Sequence, residues 1–179
     1  MRSLHNGFTL IELMVVIAIG TLVMAIGVPS FTYITNSSRL SGEMNGLVGD
    51  LQFARSEAIK QGQTVSVCIS SDGVTCLDTG NWQSGWIVFS DPTGAGTHAA
   101  GGTPVLRRQA SFSNKDTFAA SDTVSVVKFN REGFAIGLPT DPVTVTLHEQ
   151  SNNAKWSRCL AINIVGRTSI QTPGTGDCK

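Results

Sequence analysis

One carboxylate, Glu12, interrupts an otherwise apolar run from Phe8 to Val28, and no other ionisable residue of this chain stands in so apolar a setting. A charge there needs a partner or a purpose. The next residues that could do chemistry are the cysteines, Cys68, Cys76, Cys159 and Cys178. None forms the C-x2-C pair of a zinc or redox site, and no histidine lies close to them in sequence. An even number of dispersed cysteines behind an apolar N-terminal segment favours disulfides in an exported domain over buried thiols. Of the three pairings open to them, the sequence-local one is expected, Cys68–Cys76 with Cys159–Cys178. Ser71-Asp72-Gly73 supplies a turn for the first, and Pro173-Gly174-Thr175-Gly176 can fold the tail back for the second.

The remaining candidates are scattered. His5, His98 and His148 neighbour no recognisable nucleophile, and Gly94-Ala95-Gly96 lacks the lysine and helix of a phosphate loop. Asp72, Asp78 and Asp91 lack the spacing of a calcium loop. No enzyme activity, metal or cofactor is therefore expected. Trp82 and Trp86 read as packing residues, Trp86 on a helix and Trp82 over a strand edge. Arg107-Arg108 reads as a charge pair on an alternating strand, with at least one side chain in water.

The elements that must position these residues follow from patterning. At about 1.5 Å per residue, Phe8–Val28 spans roughly 31 Å, the thickness of a bilayer's hydrocarbon layer. No small-x-small cleavage site follows it. Arg2 and the starting amine argue for a cytoplasmic N-terminus with everything past Val28 outside. Pro29 should kink or interrupt the helix. Beyond it, Leu40, Met44, Leu47, Leu51, Ala54 and Ala58 recur at alternating spacings of four and three, an apolar stripe with Val48 and Ile59 at its margin. Glu43, Asn45, Asp50, Gln52 and Lys60 fall on the opposite, polar face, and Gly62 should end the helix.

After Gly62 the period becomes two. Strands are expected at Val65–Ile69, Trp86–Phe89, Val105–Phe112, Thr123–Phe129, Val143–His148 and Cys159–Val165, separated by turn residues. The expected fold is α+β: a long N-terminal helix, membrane-spanning and then amphipathic, packed on an antiparallel β-sheet. Its parts are a leader at 1–7, a transmembrane helix at 8–28, an amphipathic helix at 29–62 and a β domain at 63–179. The β domain forms one globular unit with 36–62. Basic and acidic side chains balance at 13 each, so no global field draws in a polyanion.

Gly7 followed by Phe8-Thr9-Leu10-Ile11-Glu12-Leu13, with Pro29 near the end of the span, resembles the processing site of type IV prepilins and type II secretion pseudopilins. The mid-span glycine, Gly20, sits one place earlier than is usual there. The resemblance implies cleavage between Gly7 and Phe8 by a membrane prepilin peptidase, and N-methylation of Phe8. The physics of Glu12 fits. Cleavage turns a neutral amide into a cationic amine one helical turn from the carboxylate, or beside it in a neighbouring packed span. Two unit charges 4 Å apart attract by about 4 kcal/mol at an effective dielectric of 20. That offsets much of the cost of burying each, so Glu12 is the expected assembly residue.

A second resemblance is local. Leu51-Gln52-Phe53-Ala54-Arg55-Ser56-Glu57-Ala58-Ile59, then Gly85-Trp86-Ile87-Val88-Phe89-Ser90-Asp91, then Gly166-Arg167 resemble the GspH/FimT branch of minor pilins and pseudopilin H. This implies a low-abundance subunit that helps initiate or cap a pilus or pseudopilus. It would sit in the inner membrane with its C-terminal domain in the periplasm, partnered by other pilins through the N-terminal helix. Some members serving DNA uptake carry Gly-Arg-x-Arg, whereas here Gly166-Arg167-Thr168-Ser169 lacks the second arginine. Lys155, Arg158, Arg167 and Lys179 outnumber Asp177 near the C-terminus. A weak nucleic-acid contact centred on Arg167 is the alternative function, and the missing arginine counts against it.

Overall fold

The computed structural model describes residues 7–112, 116–149, 156–172 and 174–176. The chain divides into two units, Met1–Arg39 and Leu40–Lys179. Helix α1 covers Leu10–Gln61, and Gly62 at φ +65° ends it. Of the kink or interruption expected at Pro29, the interruption does not occur, and α1 runs through that position. A proline inside a helix removes one hydrogen bond, and the turns on either side retain theirs. In the first unit the apolar side chains from Phe8 to Ile34 are exposed. Among the described residues of that unit, none packs on them.

The second unit is built on the apolar stripe. Leu40, Met44, Leu47, Leu51, Ala54 and Ala58 are fully buried, as their period predicts. Two antiparallel sheets cover them, where the sequence suggested one. The first orders its strands β3-β2-β1-β5-β6 and the second β4-β7-β8-β9. The strands are β1 Val65–Ile69, β2 Trp86–Ser90, β3 Val105–Gln109, β4 Thr117–Ala120, β5 Val126–Phe129, β6 Ala135–Ile136, β7 Val143–His148, β8 Arg158–Ile162 and β9 Thr168–Gln171. Three of these, β4, β6 and β9, lie outside the expected set. β3, β5 and β8 are shorter than expected, and Ser121–Thr123 is a 3-10 turn.

Alternation sorts the faces of the first sheet. Val65, Val67, Ile69, Trp86, Val88, Val127 and Phe129 join the helix stripe in the main core. Cys68, Ile87 and Phe89 point the other way and form a second, smaller cluster with Cys76, Val105 and Val126. In the second sheet Val143, Val145, Leu147, Leu160 and Ile162 complete the main core. Trp82 is fully buried in a 3-10 turn (Trp82–Ser84). Its indole donates to the Val124 carbonyl at 2.9 Å, which gives the ring's one polar atom a partner inside the core. Trp86 of the first sheet meets Phe118 of the second with ring centroids 6.3 Å apart, so aromatic contact joins the sheets.

Candidate functional site

At the N-terminal end, Thr9 caps α1. Its carbonyl accepts the first helical bond from Leu13 N–H at 3.2 Å, and its hydroxyl accepts from Glu12 N–H at 3.3 Å. Glu12 is thus the third helical residue behind a threonine cap, the Thr-x-x-Glu arrangement of a capping box. That spacing is legible in the sequence alone. The first turn also places Glu12 at the positive end of the helix dipole. Phe8 is 82% exposed, and an added Cβ at Gly7 would meet nothing within 4 Å.

Among the described side chains, Asp50, Gln52, Arg55 and Gln61 tie the second part of α1 to the β structure, Gln61 by accepting from Ser90 Oγ at 3.2 Å. Asp50, assigned to the polar face by its period, instead accepts from Trp86 Nε1 at 2.9 Å and from Arg107 Nη1 at 3.0 Å. The Arg107 guanidinium also lies over the Phe53 ring at 3.8 Å, so this arginine faces the helix. Gln52 donates to the Thr168 hydroxyl of β9 at 2.9 Å. Arg55 donates to the Gly166 carbonyl at 3.2 Å. Gly166 has φ +76°, and a Cβ there would stand 2.4 Å from the Gly133 carbonyl oxygen. Only glycine fits that junction of two turns and a helix.

The segment Gly85 to Asp91 does comparable work. A Cβ at Gly85 would lie 2.5 Å from the Gln109 carbonyl oxygen, so glycine lets the β3 end approach. At the other end Asp91 is buried, accepting from Ser66 Oγ and Gly96 N–H at 2.7 Å, Ala95 N–H at 3.1 Å and Thr93 Oγ1 at 3.2 Å. The carboxylate holds the start of the 92–104 loop closed. That loop is fastened again by His98, whose two ring nitrogens contact the carbonyls of Val74 and Thr103 while the ring packs on Phe89.

Cys68 and Cys76 form a disulfide. Inside the loop it closes, Asp72 accepts from the backbone N–H groups of Thr75 and Val74, from the Thr75 hydroxyl and from Ser70. The Thr75 bonds lead in holding its carboxyl well below the usual carboxylate range. Cys159 is buried on β8, and Cys178 lies outside the described residues.

Arg167 is exposed at an open groove of about 410 Å³ lined by Asp141, Pro142, Ala161, Asn163, Arg167 and Ser169. Its backbone N–H donates to Asn163 Oδ1 at 2.9 Å. Lys155, Asp177 and Lys179 lie outside the described residues. His148 Nδ1 contacts the buried Ser157 hydroxyl at 2.8 Å, which places that serine away from solvent. No group of three or more metal-ligating side chains occurs among the described residues.

Residues 43–166 match the family model described as type II transport protein GspH, and residues 2–28 match the prokaryotic N-terminal methylation motif. The chain is similar to the type IV major fimbrial protein FimA of Dichelobacter nodosus, 35% identical over 102 residues. That alignment covers 56% of this chain and 62% of that protein, less than two thirds of the relative's length. Among solved structures, the type IV minor pilin FimU of Pseudomonas aeruginosa superposes with a TM-score of 0.56 at 22% identity, over 81% of this chain and 98% of that one. The minor pseudopilin EpsH of the Vibrio cholerae type 2 secretion system gives 0.44 at 12% identity, over 80% and 98%. The FimU likeness establishes the shared fold: a long N-terminal helix with antiparallel sheets.

Proposed function

Because the chain belongs to the GspH family of minor pilins and pseudopilins, we propose that it is a structural, non-enzymatic subunit that helps initiate or cap a type IV pilus or a type II secretion pseudopilus. The observation that carries this reading is the N-terminal segment. A methylation motif over residues 2–28 precedes and overlaps a helix whose first apolar side chains, Phe8 to Ile34, have no cover among the described residues of their own unit. Such a helix is built to lie in lipid and then against the helices of other subunits. On this reading a prepilin peptidase cuts between Gly7 and Phe8, Phe8 is N-methylated, and its amine pairs with Glu12 within or between packed spans. The protein is held in the inner membrane with the Leu40–Lys179 unit in the periplasm until assembly. The buried Cys159 would pair with Cys178.

Phosphate recognition at Arg167 is disfavoured by the Asp141 carboxylate in the same groove. The test of the main reading is intact-mass analysis of assembled fibres together with a Glu12→Ala variant. The expected mature chain begins at methylated Phe8, and the variant should be inserted and cleaved yet scarce in fibres. Retention of residues 1–7 in working fibres, or normal incorporation of the variant, would overturn it.

A further inference from the structure

Both ring nitrogens of His98 face carbonyl oxygens: Nδ1 lies 2.5 Å from that of Val74 and Nε2 2.7 Å from that of Thr103. A carbonyl can only accept, and a neutral imidazole carries one N–H. In the neutral ring, one of the two contacts therefore sets a nitrogen lone pair against an oxygen lone pair. Turning the ring over does not help, because it puts carbon atoms where the nitrogens stand. A C–H···O contact needs about 3.3–3.6 Å, well beyond either distance. Only the imidazolium, with two N–H groups, satisfies both carbonyls. The ring is half-buried, so solvent can supply and remove its proton.

The two bonds join separate segments. Val74 lies inside the loop closed by the Cys68–Cys76 disulfide, and Thr103 lies near the end of the 92–104 loop. That second loop crosses the outer face of the first sheet as a strap, where a Cβ at Gly96 would lie 3.4 Å from both Cγ atoms of Val126. Beneath it is the smaller apolar cluster of Cys68, Ile87 and Phe89, and the His98 ring rests on Phe89 with centroids 4.9 Å apart. Charged groups surround the strap. The Asp91 carboxylate holds its start, and the Lys128 ammonium donates to the Gly94 carbonyl at 3.1 Å. In the disulfide loop, Asp72 accepts from Val74 N–H at 2.7 Å, and Arg108 Cδ lies 3.3 Å from where a Gly73 Cβ would stand. Of all these side chains, only an imidazole ordinarily changes charge between pH 5 and 8.

We propose that His98 is a proton-operated latch on the 92–104 loop. Doubly protonated, it bonds the strap to the disulfide loop and closes it over the apolar cluster. On losing a proton it keeps one carbonyl and repels the other, and the strap loosens. Closure and the second proton favour each other, so the loop is closed at the acid end of the imidazole range and freer at the alkaline end. Phe89, 1% exposed under the closed strap, is then uncovered. The latch does not depend on what the chain assembles into.

The test uses the full chain, labelled with nitrogen-15, in phospholipid nanodiscs at pH 6 and pH 8.5. Ring spectra count the His98 N–H protons. Amide hydrogen exchange reports closure, through Cys76 N–H, which donates to the His98 carbonyl at 3.1 Å, and Gly96 N–H, which donates to Asp91. Expected are two ring N–H protons at pH 6 and one at pH 8.5. Protection of both amides, corrected for the intrinsic rate at each pH, should fall about tenfold between the two, the scale of one hydrogen bond to a charged group. His98→Gln should abolish that fall, and His148→Gln should leave it intact. One ring N–H at pH 6, or equal protection at the two pH values in the parent chain, overturns the latch. So does a fall that persists in His98→Gln or vanishes in His148→Gln. Should His98→Gln not fold, the parent measurements decide.

Discussion

The guanidinium of Arg55 on α1 donates to the carbonyl oxygen of Gly166 at 3.2 Å, across 111 residues of sequence. Two of the motif segments that mark the family therefore meet at one junction, with the Gly133 carbonyl as its third member. Gly166→Ala forces both a positive φ on an alanine and a clash with backbone. We expect it to destabilise the Leu40–Lys179 unit by about 2–4 kcal/mol. Arg55→Ala should lose about 1–2 kcal/mol. Denaturant midpoints measure both, and a Gly166→Ala protein as stable as the parent would refute the junction's role.

Asp50 is expected to be worth more than its exposed neighbours on the helix. Its removal leaves the Trp86 indole N–H buried without an acceptor and strands Arg107. Asp50→Ala should cost about 2–3 kcal/mol, while Arg107→Ala, at a half-exposed pair, should cost about 1 kcal/mol or less. A double-mutant cycle between the two sites measures their coupling, and equal losses for the two single variants would contradict this assignment.

Acid should spare the disulfide loop longer than an ordinary carboxylate turn. The Asp72 carboxyl titrates below its usual range because Thr75 and Val74 N–H groups donate to it. A depressed folded value means that its contribution is fully present above the unfolded carboxylate pKa, near 3.9. It is lost only as pH falls through the lower folded value. The Val74 and Thr75 amide shifts should therefore hold from pH 7 to about pH 3. Movement of those shifts between pH 5 and 4 would show the carboxylate to be unheld.

Gly42, Gly46 and Gly49 weaken α1 for no reason visible within their own unit. An added Cβ at any of them would meet nothing within 4 Å. Each glycine-to-alanine change should stabilise the Leu40–Lys179 unit, by up to about 1 kcal/mol apiece. Thermal unfolding of the single and triple variants checks this, and a loss of stability at any of the three would show an unrecognised contact.

The residues explain which parts could be read in advance. The Leu40–Ala58 stripe and β7 were legible because each presents one buried face with an unbroken period, 3.6 or 2. β9 was not, because at the edge of its sheet Thr168–Gln171 buries little and shows no alternation. β6 is two residues long, and β4 carries a single large apolar side chain, Phe118. The split into two sheets depends on which strands pair across long separations, and no local period records that. Asp50 misled because its position gives its angle on the helix, while its role depends on where Trp86 and Arg107 arrive. The Thr9–Glu12 cap is legible, because a capping box is a fixed local spacing of residue types.

The core is also ordered in time. Ala58 closes the helical stripe, and its covering residues Leu160 and Ile162 on β8 follow about a hundred residues later. At about 5–20 residues per second, synthesis takes roughly 5–20 s to deliver them. Through that interval the stripe is made but only partly covered, whatever β1 and β2 have already contributed. A ribosome stalled anywhere before β8 would leave an apolar helix face open to proteases and to other unfinished chains. The interval sets how long the helix face of each nascent copy goes without its β8 cover.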